Sequence, residues 1–433
     1  MDRRNFFKNS LIGAGSLILA PEYLTSCGST DTRQESFRLF GRARRNMYFD
    51  EKTGMTYRRL GKTGLMVSEI GLGTEWLERH TAEECREVIK YCETRGINIL
   101  DIWMSEPNVR TNVGNAIKGS RKKWYIQGHL GSTWQNGQYE RTRETDKVDA
   151  ALDDLLTRLQ TDYIDLGMMH IVDTVEEWNA ITEGEFYRHV LQLKKSGKIR
   201  HIGMSTHNVN VARLAAESGL VEMIMFSLNP AYDMLPADAD IWGEDFSNAT
   251  GGINPERAAL YNICEANNVG ITVMKGYAGG RLFNPKLSPF GVELTPVQCL
   301  HYALTRPAVG SVLVGCDTVD HVKAAVAYEK ATDDEKDYAT VLANAPAHAY
   351  GHQCTYCGHC KPCSQGIDIA MVNKLNDLAD MNSTNIPSSV LDHYKQLKLH
   401  ASDCSECGNC ELRCPFSVNV IQKMRRAKEL FGY

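Results

Sequence analysis

Between residues 68 and about 331, short apolar runs and longer amphipathic stretches alternate eight times. The runs are SEIGLGT, NILDIW, WYIQGHL, YIDLGMMHI, IRHIGMSTH, EMIMFSLN, GITVMKG and AVGSVLVG. Stretches with helical spacing follow them, among them TAEECREVIKYCETRG, DKVDAALDDLLTRLQ and PERAALYNICEANN; NVRTNVGNAIKGS is a weaker helix. Strand-then-helix alternation builds a parallel sheet, because each helix carries the chain back to start the next strand in the same direction. Eight such units over about 260 residues match a TIM barrel in count and length. An open doubly wound sheet is the competitor, but no GxGxxG follows the first strand. In a barrel the chemistry sits at the carboxyl ends of the strands. The positions to inspect are therefore Asp101, His129, His170, Ser205, Asn229 and Lys275.

The motifs occur in a recognisable order. TYRRLGKTGLMVSEIGLGT, GINILDIW, YIDLGMMH, IRHIGMSTHN, GITVMKGYAGGRL and TPVQCLHYALTRPAVGSVLVG together resemble the aldo/keto reductase superfamily over residues 56–331. With the cysteine-rich tail, the whole chain resembles the subgroup carrying a C-terminal ferredoxin-like domain. The resemblance implies carbonyl reduction by a nicotinamide nucleotide, with four residues at the site. A Tyr protonates the developing alkoxide, a Lys and an Asp lower its pKa, and a His orients the carbonyl.

Laid on this chain, the resemblance places Asp101 at the Asp position and His170 at the His position. DIWMSEPNVRTNVGNAI aligns without gaps and puts Glu106 where the Tyr belongs, while His129 replaces the Lys. A carboxyl group is ionised near neutral pH unless burial or a neighbouring anion raises its pKa by about 3 units. The expected catalytic set is thus Asp101, Glu106, His129 and His170. Altered redox chemistry, acid/base chemistry without net redox, a metal site built from these side chains and a barrel that has lost activity all remain open. Ser205, Asn229 and Lys275 fall at positions that the resemblance places near the nicotinamide and phosphates. Asp317 stands near where a 2′-phosphate would lie, and Ala324 and Ala325 replace a Glu–Asn pair that would hold the adenine. NAD(P) is a candidate cofactor, with NADPH disfavoured.

The tail explains the cysteine count. Of 14 cysteines, eight lie in CTYCGHCKPCS and CSECGNCELRCP. The second run is the C-x2-C-x2-C-x3-C-P spacing of bacterial ferredoxins, in which soft thiolates close together suit an iron–sulfur cluster. Zinc knuckles and disulfides are the alternatives; zinc usually draws two separated Cys pairs, not four cysteines in a row. In two-cluster ferredoxins the fourth Cys of each run ligates the other cluster. That pattern implies two [4Fe-4S] clusters, one on Cys354, Cys357, Cys360 and Cys414, the other on Cys404, Cys407, Cys410 and Cys363. Cys85, Cys92, Cys264, Cys299 and Cys316 sit in apolar periodic segments and read as buried inert thiols.

The amino terminus, MDRRNFFKNSLIGAGSLILAPEYLTSC, resembles a twin-arginine export signal, with Arg3 and Arg4 before a short apolar run. Leu24 to Cys27 also resembles a lipoprotein box, which would put a lipid anchor on Cys27. The alternative is simple cleavage, or a terminal amphipathic helix. The expected location is periplasmic or cell-envelope.

The resulting expectation is α/β: residues 1–27 a signal, 28–54 a linker, 55–345 a (β/α)8 TIM barrel and 346–433 a small α-helical dicluster ferredoxin-like domain. Function is expected to be iron–sulfur oxidoreduction of a carbonyl or hydroxyl compound, a sugar among the candidates. Electrons would pass to or from a partner protein or a membrane donor. A degenerate barrel acting as electron carrier or scaffold, and a non-redox acid/base enzyme, are the other readings. A net charge of −5 and the lack of a basic stripe give no reason to expect nucleic acid.

Overall fold

Strands β4 (Ile70–Gly73), β5 (Ile99–Ile102), β6 (Tyr125–Leu130), β9 (Ile164–Met169), β10 (Ile199–Thr206), β11 (Met223–Ser227), β12 (Gly270–Met274) and β13 (Val309–Gly315) close into one parallel barrel in chain order. The structure is a computed structural model and describes residues 46–241 and 245–433. The twin-arginine pair and Cys27 lie outside the described residues. The eight strands coincide with the eight apolar runs. They are buried almost throughout, which is why they read as continuous apolar segments and not as alternating ones.

The barrel floor is an antiparallel sheet of β1 (Met47–Asp50), β2 (Met55–Arg59) and β3 (Met66–Ser68). Strand β1 lies within residues 28–54, where only a linker was expected; it gains order by pairing with β2, Met47 opposite Arg58. Leu60 and Val67 from the floor pack with Ile99, Leu166, Met168, Met223, Met225 and Leu313 as the barrel's inner core. This apolar plug closes the lower end, so polar chemistry is confined to the upper one.

Around the barrel stand α1 (Ala82–Thr94), α2 (Pro107–Ile117), α3 (Thr145–Leu159), α4 (Val175–Glu183), α5 (Glu185–Ser196), α6 (Val209–Ser218), α7 (Pro255–Ala266), α8 (Pro296–Leu304) and α9 (Val319–Val326). Helix α4 was not foreseen; the Thr174 side chain caps it by accepting from Glu177 N–H. Two further strands, β7 (Ser132–Gln135) and β8 (Gln138–Arg141), form an unforeseen hairpin directly after β6. Its two-residue turn, Asn136–Gly137, has positive φ at both positions (53° and 77°), the geometry that makes Asn-Gly the favoured hairpin turn.

The cysteine-bearing segment follows α10 (Tyr338–Ala343) and contains α11 (Ile369–Asp380), α12 (Ser388–Lys395), α13 (Asn409–Leu412) and α14 (Val420–Phe431). Val372, Leu375 and Leu378 of α11 are buried, as are Met424 and Ala427 of α14. Tyr394 stacks on Phe431 with ring centres 3.7 Å apart. Described residues of the loop 230–254 dock the cysteine segment: Tyr350 Oη donates to Pro230 O (2.6 Å), and Ile253 N–H donates to Gln353 Oε1 (2.9 Å). All five scattered cysteines are buried.

Candidate active site

A cavity of about 630 Å³ opens at the carboxyl ends of the barrel strands. That is within the size range of small-molecule and cofactor pockets. Asp101 at the end of β5, His129 near the end of β6 and His170 just after β9 line one wall. Their side chains are joined by hydrogen bonds. His129 Nε2 lies 2.9 Å from Asp101 Oδ1, and His129 Nδ1 lies 2.7 Å from His170 Nδ1. Gln127 Nε2–H donates to the same Asp101 oxygen (2.7 Å), and Thr272 Oγ1–H donates to Gln127 Oε1 (3.1 Å). Both donors stand on β6, the strand next to β5, and both reach the same Asp101 oxygen.

The chain continues to a residue that sequence reasoning missed. Tyr139 Oη, from the hairpin β7–β8, lies 2.7 Å from His170 Nε2. Its ring meets the His170 ring edge-on, and Trp103 stacks on His170 at 15°. The hairpin is tied down: Ser132 Oγ donates to Trp103 O and Ser105 Oγ donates to Thr133 O, both at 2.6 Å. Arg143, just beyond the hairpin, donates to His170 O (2.6 Å) and pairs with Glu177 (2.8 Å). The next residue, Ile171, adopts φ 43°, a region that β-branched residues rarely occupy. Ser205 Oγ holds it there by accepting from Ile171 N–H (2.8 Å).

Burial pushes the His170 pKa well below the ordinary imidazole value, and the nearby His129, Arg143 and Arg141 add to the effect. Burial raises the Tyr139 pKa, against the pull of Arg141 and Arg143.

Glu106 does not join this wall. It precedes α2, and its carboxylate accepts from Val109 N–H at 2.7 Å, capping that helix. It is absent from the cavity lining, so its expected catalytic place is corrected. The gapless alignment identified the position, but a carboxylate three residues before a free helical N–H is drawn to the helix end. The other unforeseen carboxylate is Glu75, just after β4, which does line the cavity. Burial raises its pKa; Trp103 and the Lys275 ammonium oppose the shift. Burial lowers the Lys275 pKa, and Glu75 opposes that. Glu75 was legible as the second residue past Gly73, the last glycine of the first strand.

Among the residues expected at a nucleotide, Ser205 and Lys275 line the cavity and Asn229 does not. Asn229 Nδ2 donates to Lys275 O (2.9 Å) and its Oδ1 accepts from Tyr232 N–H (2.9 Å). It thus anchors the Lys275 backbone, which has φ 57°. At the far end of the cavity stand His321, Ala324 and Ala325. Asp317 beside them is engaged by His321 Nδ1 (2.6 Å) and His80 Nε2 (3.1 Å). Among the described residues, no three His, Cys, Asp or Glu side chains, the tail cysteines included, are grouped as a single metal ion requires.

In the cysteine segment, Cys363 from the first run lines one small cavity together with Cys404, Cys407 and Cys410 from the second. All eight tail cysteines are free. Several have N–H groups aimed at sulfur: Asn373 Nδ2 at Cys354 (3.5 Å) and Glu406 N at Cys404 (3.4 Å). Arg413 clamps the first run by donating to Cys360 O (3.0 Å) and Pro362 O (2.7 Å).

A closed parallel barrel with a polar side-chain chain over a deep cavity at its carboxyl face defines an enzyme of the (β/α)8 class. Residues 69–293 match the aldo/keto reductase family. The chain belongs to that family, and it is an oxidoreductase. It is 26% identical over 285 residues to the uncharacterized oxidoreductase YqkF of Bacillus subtilis, covering 62% of this chain and 89% of that one. It is 24% identical over 318 residues to protein tas of Escherichia coli, covering 62% and 91%. The fold is similar to the aldo-keto reductase AKR11C1 from Bacillus halodurans in its holo form. There the TM-score is 0.52 at 24% identity, over 65% of this chain and 94% of that one. The family match ends before the cysteine segment begins.

Proposed function

We propose that this protein is an exported iron–sulfur oxidoreductase that interconverts a carbonyl and a hydroxyl compound, with two [4Fe-4S] clusters in its tail. One observation carries the cluster assignment: Cys363 shares a cavity with Cys404, Cys407 and Cys410. Crossing of the fourth thiolate from one run to the other is the arrangement of two-cluster ferredoxins. The remaining set is Cys354, Cys357, Cys360 and Cys414. The donor set fits: free thiols, N–H groups aimed at sulfur, and a clamped backbone. When bound, such clusters supply one-electron transfer, and hydrogen bonds to their sulfurs tune the potential.

A nicotinamide nucleotide is the second proposed cofactor. The cavity runs from Asp101 and His170 past Lys275 and Gly276 to Ala324 and Ala325, giving such a molecule room. The far end favours a nucleotide without a 2′-phosphate. Asp317 is anionic there, and two alanines offer no side-chain hydrogen bond to an adenine.

The lining supports a substrate class. Trp76 and Trp103 offer aromatic faces, and Glu75 offers a carboxylate beside them. A polyhydroxylated ring such as a sugar uses both kinds of contact, its C–H face on the indoles and its hydroxyls on the carboxylate. The export route and a lipid anchor at Cys27 rest on the amino-terminal sequence alone. Among the described residues no helix is long and apolar enough to cross a membrane.

The test is anaerobic mixing of the dithionite-reduced full chain with a panel of aldoses and ketoses. Return of the oxidised visible spectrum together with an alcohol product supports the reading. An unchanged spectrum with every sugar, and no turnover of any with NADH, counts against it.

A further inference from the structure

We propose that Arg306, a residue of the barrel, is the buried counter-charge of the cluster on Cys354, Cys357, Cys360 and Cys414, and holds that cluster's reduction potential up. The inference rests on the two-cluster reading given above.

Arg306 stands between α8 and β13 and is 2% exposed. Its side chain crosses from the barrel to the first cysteine run. Nη2 donates to the backbone oxygen of Thr355, the residue after Cys354. The same nitrogen donates to Thr305 Oγ1 (2.9 Å) and to Tyr338 Oη (3.2 Å). Tyr338 in turn donates to Thr355 O and Thr355 Oγ1, both at 3.1 Å. The guanidinium lies 4.6 Å from the ring centre of Tyr302 and 5.8 Å from that of Tyr356. Arg306 and Cys354 also line one cavity of about 350 Å³.

A buried cation is costly unless an anion answers it. Among the described residues Arg306 has no carboxylate at ion-pair distance; its acceptors are a carbonyl and two hydroxyls. Asp233 acts on it only from farther away. That carboxylate is also faced by Arg257 and is bound by Tyr302 Oη (2.7 Å) and Tyr261 Oη.

Other cations around the run are answered. Lys423 pairs with Asp377 (2.5 Å), His359 Nε2 lies 3.1 Å from Asp337, and Lys361 lies 3.8 Å from Asp368. Arg413 clamps the run through Cys360 O and Pro362 O, but it is exposed, and salt and water screen it. Of these cations, Arg306 alone is both buried and without a carboxylate.

Four thiolates leave a [4Fe-4S] cluster net negative, so the cluster supplies the missing anion. When a one-electron reductant reduces it, the electron goes to the iron and no bond forms or breaks. The cluster's negative charge rises by one. Burial disfavours that more charged state. A fixed cation favours it, and a buried setting leaves the attraction poorly screened. The second set lies differently. Cys407 is exposed, and Arg425 beside it is paired with Glu406 (2.6 Å). Water answers the charge there, whereas Arg306 answers it at the barrel. A barrel side chain thereby keeps the tail's inner cluster reducible.

The test is a potentiometric titration of the full chain purified without oxygen, read by electron paramagnetic resonance, with iron and sulfide counted. It compares the parent, Arg306→Gln and Arg306→Lys. The Lys variant keeps the charge and gives up the guanidinium's geometry. In Arg306→Gln, the reduction step that Cys354→Ser removes is expected to fall. At a fixed potential its ratio of reduced to oxidised cluster drops about tenfold or more, or about 59 mV for one electron. In Arg306→Lys that ratio stays within about threefold of the parent, and the other step does not move in either variant. Loss of the first cluster in Arg306→Gln with retention in Arg306→Lys also supports the counter-charge. An unmoved step in Arg306→Gln would overturn it. So would equal shifts, or equal loss of the cluster, in both variants, since Arg306 would then serve only as a clasp between barrel and tail. A parent without iron and sulfide removes the two-cluster reading and this inference together; intact clusters with any of the overturning results remove this inference alone.

Discussion

Tyr139 Oη and His170 Nε2 stand 2.7 Å apart, joining a hairpin outside the barrel to a histidine at its mouth. The contact redefines the site. The barrel strands supply the carboxylate and imidazoles, and the hairpin β7–β8 supplies the phenol beside them.

Asp101 anchors the chain from inside the barrel. Asp101→Asn keeps the shape but replaces an acceptor of two N–H bonds with an amide. Its turnover of a carbonyl probe is expected to fall about 100-fold or more, with the fold intact by circular dichroism. A fall of less than about threefold would place the proton chemistry elsewhere.

Glu106 gives the opposite expectation. Its carboxylate caps α2 through Val109 N–H. Glu106→Ala is expected to lose about 0.5–2 kcal/mol of stability, read by denaturant unfolding, while kcat stays within about twofold. A hundredfold loss of kcat at unchanged stability would return Glu106 to the reacting groups.

The cysteine pairing is testable by substitution. Cys363→Ser and Cys404→Ser are expected to damage the same cluster, giving matching losses in the electron paramagnetic resonance spectrum of the reduced protein. Cys354→Ser is expected to damage the other. Identical spectra for Cys363→Ser and Cys354→Ser would assign Cys363 to its own run.

Acid sensitivity has one well-defined source. Glu222 is gripped by Lys194, by His201 Nδ1 (2.8 Å) and by Ile202 N–H (3.1 Å). Burial opposes its ionisation, but these partners overcome it and bring the pKa from 4.5 down to about 2. The folded state holds its proton less tightly than the unfolded chain does. The contribution is therefore full above about pH 4.5 and is lost as pH falls toward 2. Glu222→Gln is expected to lower the melting temperature at neutral pH. It also flattens the fall in stability across that acid window, as thermal melts at a series of pH values would show. Parallel curves for variant and parent would contradict this.

The barrel was legible in the sequence because its strands are buried on both faces and so appear as unbroken apolar runs ending in Asp101, His129 or Ser205. The hairpin was not. STWQNGQYER is polar and packs largely by edge contacts and backbone anchors, leaving only Asn136–Gly137 as a local signal. Tyr139 reaches His170 across 31 residues of chain, a contact no periodicity reports. Glu106 was misread for a related reason: alignment fixes a position along the chain, whereas the local helix end decides where a carboxylate points. Asn229 lies near the expected place but serves the Lys275 backbone. The tail's cysteine spacing is read directly from the chain, since spacing is a property of the sequence itself.

The most direct measurement is iron and acid-labile sulfide analysis of the full chain purified without oxygen. Two four-iron clusters predict about eight irons and eight sulfides per chain, with broad visible absorbance that dithionite bleaches. A preparation holding zinc and no sulfide, or neither iron nor sulfide, would contradict the account at its centre.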